Sequence, residues 1–287
     1  MSPANGHFAA YSFVDRIVAF DVGTSARGTY AIPAHVEAFS AALVAEAVGQ
    51  LAAWVAMDAI DFRGRPVAAL ATETRFLSSV APGQTLDLAV DILACDDEAV
   101  AYNGRASVDG VPVIELVDCL GPMLPVAEFD APDALRARLA LLRGEGAAPG
   151  RFGGVDALRV DVAHHVPGTL LRATLDVPAD APFFSDHFPR RPVFPATLLL
   201  DTQMRLASAL VREAGVAVYG TGPAPSPSRA THVKMRSFIG PSQRLALEAG
   251  LAFPGDGVVR AMLSAKTDDR LVATARLEFP ARPAAPR

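Results

Sequence analysis

The chain has 287 residues, enough for one large domain or two ordinary ones, and 51% of them are hydrophobic, so a sizeable core can form. Charged residues make up 20% and the net charge is −5, a balance without the basic excess that a nucleic-acid partner calls for. Two cysteines, Cys95 and Cys119, are too few for a disulfide framework or a metal-ligand cluster and read as small buried residues.

The opening stretch, MSPANGHFAAYSF, has neither a basic nor a long apolar region, so no secretion signal is expected and a cytoplasmic location is. Residues 38–60 form the longest apolar run. Glu46, Gln50 and Asp58 interrupt it, and polar groups are costly in a bilayer, so it reads as a buried helix over 40–59 rather than a membrane span. Trp54 on that helix reads as core. Strand-like runs follow at 86–94, 99–107 and 112–120. Residues 132–143 predict a short amphipathic helix with Leu135, Leu139 and Leu142 on one side, and 144–154, rich in Gly, Ala and Pro, a linker.

The pattern then recurs. A second long helix is expected over 196–214, and strands over 245–252, 257–265 and 270–279. Residues 74–88, TRFLSSVAPGQTLDL, resemble 233–247, VKMRSFIGPSQRLAL, with Pro82-Gly83-Gln84 facing Pro241-Ser242-Gln243. A Pro/Gly/Ser-rich loop is expected at 220–230 and a disordered tail at 281–287. The units are expected at 9–127 and 155–280, with 128–154 between them. Each reads as a helix wrapped by an antiparallel sheet, an α+β unit that must pair to hide its faces. His164 and His165 fall in an early strand of the second unit and read as structural.

Residues 183–203 read FFSDHFPRRPVFPATLLLDTQ. Pro189, Pro192 and Pro195 stiffen the loop after His187, and a helix opening at Ala196 leaves its first N–H groups without partners. This stretch resembles the 3-hydroxyacyl-acyl-carrier-protein dehydratases of the FabA/FabZ type, with their signature H-F-P-G-x-P-V-M-P-G-x-L-x-x-[ED]-A-x-x-Q. The matches are His187, Phe188, Pro189, Pro192, Val193, Pro195, Leu198 and Asp201; among the departures are Arg190 and Ala196 at the two glycines and Arg205 at the glutamine. The resemblance implies a hot dog fold, doubled here into a pseudo-dimer, with His187 catalytic, and Val193, Ala196 and Thr197 supplying the loop and the backbone oxyanion donors. It implies no cofactor or metal. The substrate is expected on acyl carrier protein or coenzyme A, with Arg190 and Arg191 meeting carrier or phosphopantetheine phosphate, and the chain is expected as a monomeric pseudo-dimer or a homodimer of it.

In this family the histidine and acid of one site come from opposite protomers, so the partner of His187 is expected in the first unit. Leu43-Val44-Ala45-Glu46-Ala47-Val48-Gly49-Gln50 matches L-x-x-E-A-x-x-Q there, with Glu46 as acid and Gln50 orienting it. Fourteen residues before Glu46 stands Ile32, not histidine; about ten residues are missing from that unit. Arg205, one turn from Asp201, is expected to pair with it and keep it ionised, whereas Glu46 has no charged neighbour on an apolar helix. Asp201 is therefore expected to be secondary or vestigial. A dehydratase is the favoured reading; a hot dog thioesterase and a non-catalytic acyl-thioester-binding subunit are the alternatives.

Overall fold

The computed structural model describes residues 7–218 and 226–280. The expected tail at 281–287 and much of the expected loop at 220–230 lie outside them. The first unit opens with a hairpin, β1 (Arg16–Asp21) and β2 (Ser25–Ala31), followed by α1 (Ala41–Ala59). Then come β3 (Gly64–Pro66), β4 (Leu70–Phe76), β5 (Thr85–Cys95), β6 (Ala99–Val108) and β7 (Val111–Pro125). A 3-10 turn (Val126–Glu128) leads to α2 (Pro132–Arg143). The second unit has β8 (Val160–Val166), β9 (Leu170–Asp176), a 3-10 turn (Pro182–Ser185), α3 (Ala196–Val218), β10 (Arg229–Met235), β11 (Arg244–Ala252), β12 (Val258–Thr267) and β13 (Arg270–Pro280).

Twelve strands form one continuous antiparallel path, β1-β2-β5-β6-β7-β4-β10-β13-β12-β11-β9-β8, and β3 pairs with β7 beside it. The second half of this order repeats the first in reverse. Equivalent strands, β4 and β10, meet at the centre as an antiparallel pair, with Thr231 opposite Glu73. That is the symmetry a two-fold pseudo-dimer requires. The opening hairpin of each unit was not resolved as two strands by the sequence reading.

The repeated Pro-x-Gln turn has a physical cause. The Gln84 side chain accepts the Ala81 N–H at 2.7 Å, and its carbonyl accepts the Ile32 N–H at 2.9 Å. Gln243 does the same with Gly240 at 3.0 Å and Val177 at 2.9 Å. Each turn thereby ties the end of the hairpin to the start of the next strand. Alternation does the rest: Leu86, Leu88 and Val90 on β5, and Leu245, Leu247 and Ala249 on β11, point inward.

Ser40 caps α1, its hydroxyl accepting the Leu43 N–H. This helix is long and apolar enough to cross a membrane, yet most of its residues are buried within the fold. At Gly104 on β6 a Cβ would stand 2.3 Å from Val48 Cγ1, so the bare backbone lets α1 lie close on the sheet. Helix α2 buries Leu135, Leu139 and Leu142 in the same core. Segment 144–154 is not slack: Phe152 packs edge-on against Phe13 and Phe39 at 5.0 and 6.1 Å.

The two units differ most before their long helices. Residues 32–40 join β2 to α1, whereas 177–195 join β9 to α3, ten more. The extra residues are the histidine loop. In the first unit Ile32, Val36 and Phe39 enter the core and His35 is exposed.

Candidate active site

A cavity of about 230 Å³ lies between the two units. Glu46 from α1 and His187 from the loop before α3 both line it. Ala53, Trp54 and Met57 carry the wall on along α1 as an apolar face. Asp201 is not on its wall; buried at the helix side, it accepts from Arg205 Nε at 2.9 Å and also from Arg205 Nη2.

Position 187 is fixed from both ends of its loop. The Val193 N–H donates to the His187 carbonyl, and His187 Nδ1 bonds the Val193 carbonyl, each at 2.9 Å. With Nδ1 as the donor, Nε2 is left as the basic nitrogen. Burial holds the imidazole below its usual range, while nearby Glu46 pulls it the other way. The ring is therefore neutral at neutral pH. The same clamp corrects one expectation: the Val193 N–H is engaged and is no oxyanion donor. Ala196 and Thr197 remain, since the first N–H groups of a helix have no partner inside it, and both residues line the cavity.

Glu46 is not in bare apolar surroundings, as its isolated place in the sequence suggested. Gln50 Nε2 donates to Oε1 at 3.0 Å, and Thr197 Oγ1 from the other unit donates to Oε2 at 2.7 Å. Gln50 is itself fixed, bonding the Tyr11 carbonyl at 2.8 Å and the Phe13 N–H at 2.7 Å. The Tyr11 hydroxyl is 2.9 Å from Thr197 Oγ1 and completes a chain to the acid. Burial, with Glu46 close by, pushes the Tyr11 phenol well above its usual value, so it stays neutral.

The sequence reading missed Tyr11, Arg65 and the use made of Asp186. Asp186 does not cap His187. Its carboxylate accepts the N–H groups of Phe8, Ala10 and Tyr11 and the Ser12 hydroxyl, strapping residues 8–12 across the site. Arg65 on β3 donates to Asp130 at 2.8 Å and lies over the Phe188 ring. An Arg between Gly64 and Pro66 was the available signal, but nothing local ties it to residue 188. Arg190 and Arg191 are exposed and engage the preceding segment: Arg190 bonds the Ala127 carbonyl, and Arg191 bonds Glu128 at 2.8 Å and stacks on Phe238.

Residues 158–276 match the model of the FabA-like domain family. The second unit is similar to the FabA-like domain family. The matched stretch contains the histidine loop, α3 and most of the strands that wrap it. The chain is 29% identical over 117 residues to a 3-hydroxyacyl-[acyl-carrier-protein] dehydratase FabZ of Ruminiclostridium cellulolyticum, covering 39% of this chain and 78% of that one. To the FabZ of Yersinia pestis it is 28% identical over 126 residues, covering 42% and 68%. Among solved structures, a hot dog protein from Alicyclobacillus acidocaldarius covers 99% of this chain and 100% of its own (TM-score 0.53, 14% identity). The dehydratase domain of PpsC from Mycobacterium tuberculosis, in complex with C12:1-CoA, covers 95% and 100% (TM-score 0.54, 16% identity). A putative oleoyl thioesterase from Lactobacillus plantarum covers 92% and 98% (TM-score 0.59, 10% identity). At such identities these structures speak to fold alone. The two units share the hot dog fold, so the whole chain has the α+β class expected.

Proposed function

We propose that this protein removes water from a 3-hydroxyacyl thioester to give the 2-enoyl thioester. The observation that carries this is the meeting of His187 and Glu46, from opposite units, on one cavity wall. His187 Nε2 takes the proton from the carbon beside the thioester carbonyl. The Ala196 and Thr197 N–H groups hold the charge that builds on the carbonyl oxygen. As the C2–C3 double bond forms, the C3–O bond breaks, and Glu46 gives its proton to the departing hydroxyl, which leaves as water. The His187 proton then returns to Glu46 and resets both groups. The Tyr11–Thr197–Glu46 chain suits this cycle. Two of its three members are hydroxyls that can turn, so it accommodates the acid with or without its proton.

The apolar wall along α1 supports an acyl chain as the occupant, and exposed Arg190 and Arg191 support a phosphopantetheine carrier, acyl carrier protein or coenzyme A. No metal or redox cofactor takes part in the proposed steps. Such a carrier-borne substrate goes with a cytoplasmic site of action.

The test is a mutant set assayed on 3-hydroxyacyl thioesters, following enoyl product and free thiol separately. His187→Ala and Glu46→Gln are each expected to remove most enoyl formation, and Asp201→Asn little. Thiol release without enoyl product would mark a thioesterase instead. Loss with Asp201→Asn but not with Glu46→Gln would overturn the pairing across units. Binding without turnover of any carrier-borne substrate would leave a non-catalytic subunit.

A further inference from the structure

Three planar groups are stacked beside the cavity. The His187 imidazole covers one face of the Phe188 ring, with centroids 4.2 Å apart and planes tilted by 20°. A second planar group cannot share that face. The Arg65 guanidinium, with its Cζ also 4.2 Å from the ring centroid, must therefore lie on the other. Phe129 closes the ring edge at 5.2 Å and 75°. Arg65 belongs to the first unit and is fixed by Asp130 at 2.8 Å. The stack thus sets a permanent cation of one unit behind the candidate base of the other, with a phenyl ring between them.

We infer that Arg65 is a positioning residue for His187, its charge and planar stack across Phe188 keeping the imidazole neutral and aligned to accept a proton. This rests on the reading of His187 as the base. Arg can be assigned the role because it does not deprotonate and its flat guanidinium stacks on an aromatic face, which the ammonium of Lys does not.

The surrounding charges give the sign. Glu46 on α1 faces the imidazole and, in its ionised form, favours its protonation, while Arg65 opposes it; the neutral Tyr11 phenol stands edge-on at 5.9 Å. Asp186, next in the loop, turns its oxygens to the amides of residues 8–11. Asp130 faces Arg65 and is itself faced by His7 at 3.4 Å. The cation stands about 8 Å from the imidazole, the two stacking distances taken end to end. At an effective dielectric of about 20 a unit charge at that range moves a titration by roughly one to two pH units.

The experiment is an NMR titration of the His187 imidazole in the full chain with labelled histidine, beside the pH profile of kcat/KM. Arg65→Met is expected to move the His187 titration and the acid limb of the profile upward by roughly one to two units. Asp130→Asn leaves the Arg65 charge uncompensated and is expected to move both downward. Arg65→Lys is expected to keep the titration near that of the native chain while kcat falls several-fold, because the charge remains and the planar support is lost. A His187 titration unmoved by Arg65→Met, or moved the same way by Arg65→Met and Asp130→Asn, would overturn the inference. Should Arg65→Met fail to fold, the direction of the Asp130→Asn shift decides. The NMR readout needs no turnover, so shifts as expected in a chain that makes no enoyl product would sink the proposed reaction and leave the effect of Arg65 standing.

Discussion

At the scale of single residues, the acid is held more elaborately than the base. The His187 ring makes one hydrogen bond, to Val193, beside its stack on Phe188, whereas Glu46 is oriented by Gln50 from its own helix and by Thr197 from the other unit. Thr197 is the telling contact, because it ties the acid of the first unit to the helix start that faces the substrate carbonyl. Thr197→Val keeps the shape and removes the hydroxyl. As Glu46 gives up its proton it becomes charged, and a hydrogen bond to a charged group contributes about 1.5–3 kcal/mol, so kcat/KM should fall roughly ten- to hundredfold. Thr197→Ser keeps the hydroxyl and should retain most activity. Steady-state kinetics on the two variants decides: a loss with Thr197→Ser but not with Thr197→Val would mean that the methyl group, not the hydroxyl, matters. Glu46 and Gln50 could be found from sequence because a helix repeats every turn and the family pattern rides on that period. Thr197 was found only as a helix-start residue. Tyr11 was not found, since its contact is made 186 positions away and leaves no local trace.

At the scale of elements, the segment 7–12 behaves as a strap over the histidine loop. Asp186 gathers its backbone N–H groups, and His7 bonds the Ser185 carbonyl at 2.9 Å between Asp130 and Asp186. The proline-framed loop was legible as a stiff element, but its strap was not, because a stretch without periodicity announces no partner. The charge on His7 makes the strap pH-sensitive. Burial opposes that charge, but Asp130 and Asp186 outweigh it and raise the pKa from 6.5 to about 9. The stabilisation is therefore complete below about pH 6.5 and is lost as the pH rises through about 9. Urea unfolding of the native chain and of His7→Ala should differ most near pH 6 and converge above about pH 9. A difference that grows with pH would reverse the sign and reject the assignment.

At the scale of the whole molecule, the internal repeat was legible in its turns and helices, yet its consequence is plain only in three dimensions. The two units do not merely touch. Sheet pairing runs unbroken from β4 into β10, and one hydrophobic core includes Val44, Leu51 and Leu88 of the first unit with Leu175, Leu198 and Leu247 of the second. Shared burial on this scale couples their unfolding, so the intact chain should melt in a single transition with equal calorimetric and van't Hoff enthalpies. The covalent link between them is then a convenience of concentration. Ala148 and Pro149 are exposed, and Gly150 has open space around it, so a protease site fits there without disturbing buried Phe152. After cleavage the halves should stay together in gel filtration at micromolar concentration and keep their activity. Their melting temperature should now fall on dilution, because folding has become a bimolecular association, while that of the intact chain stays constant. Two melting steps in the intact chain, or separation of the nicked halves, would show units that fold independently, and the cavity between them would then be a docking gap rather than part of one core.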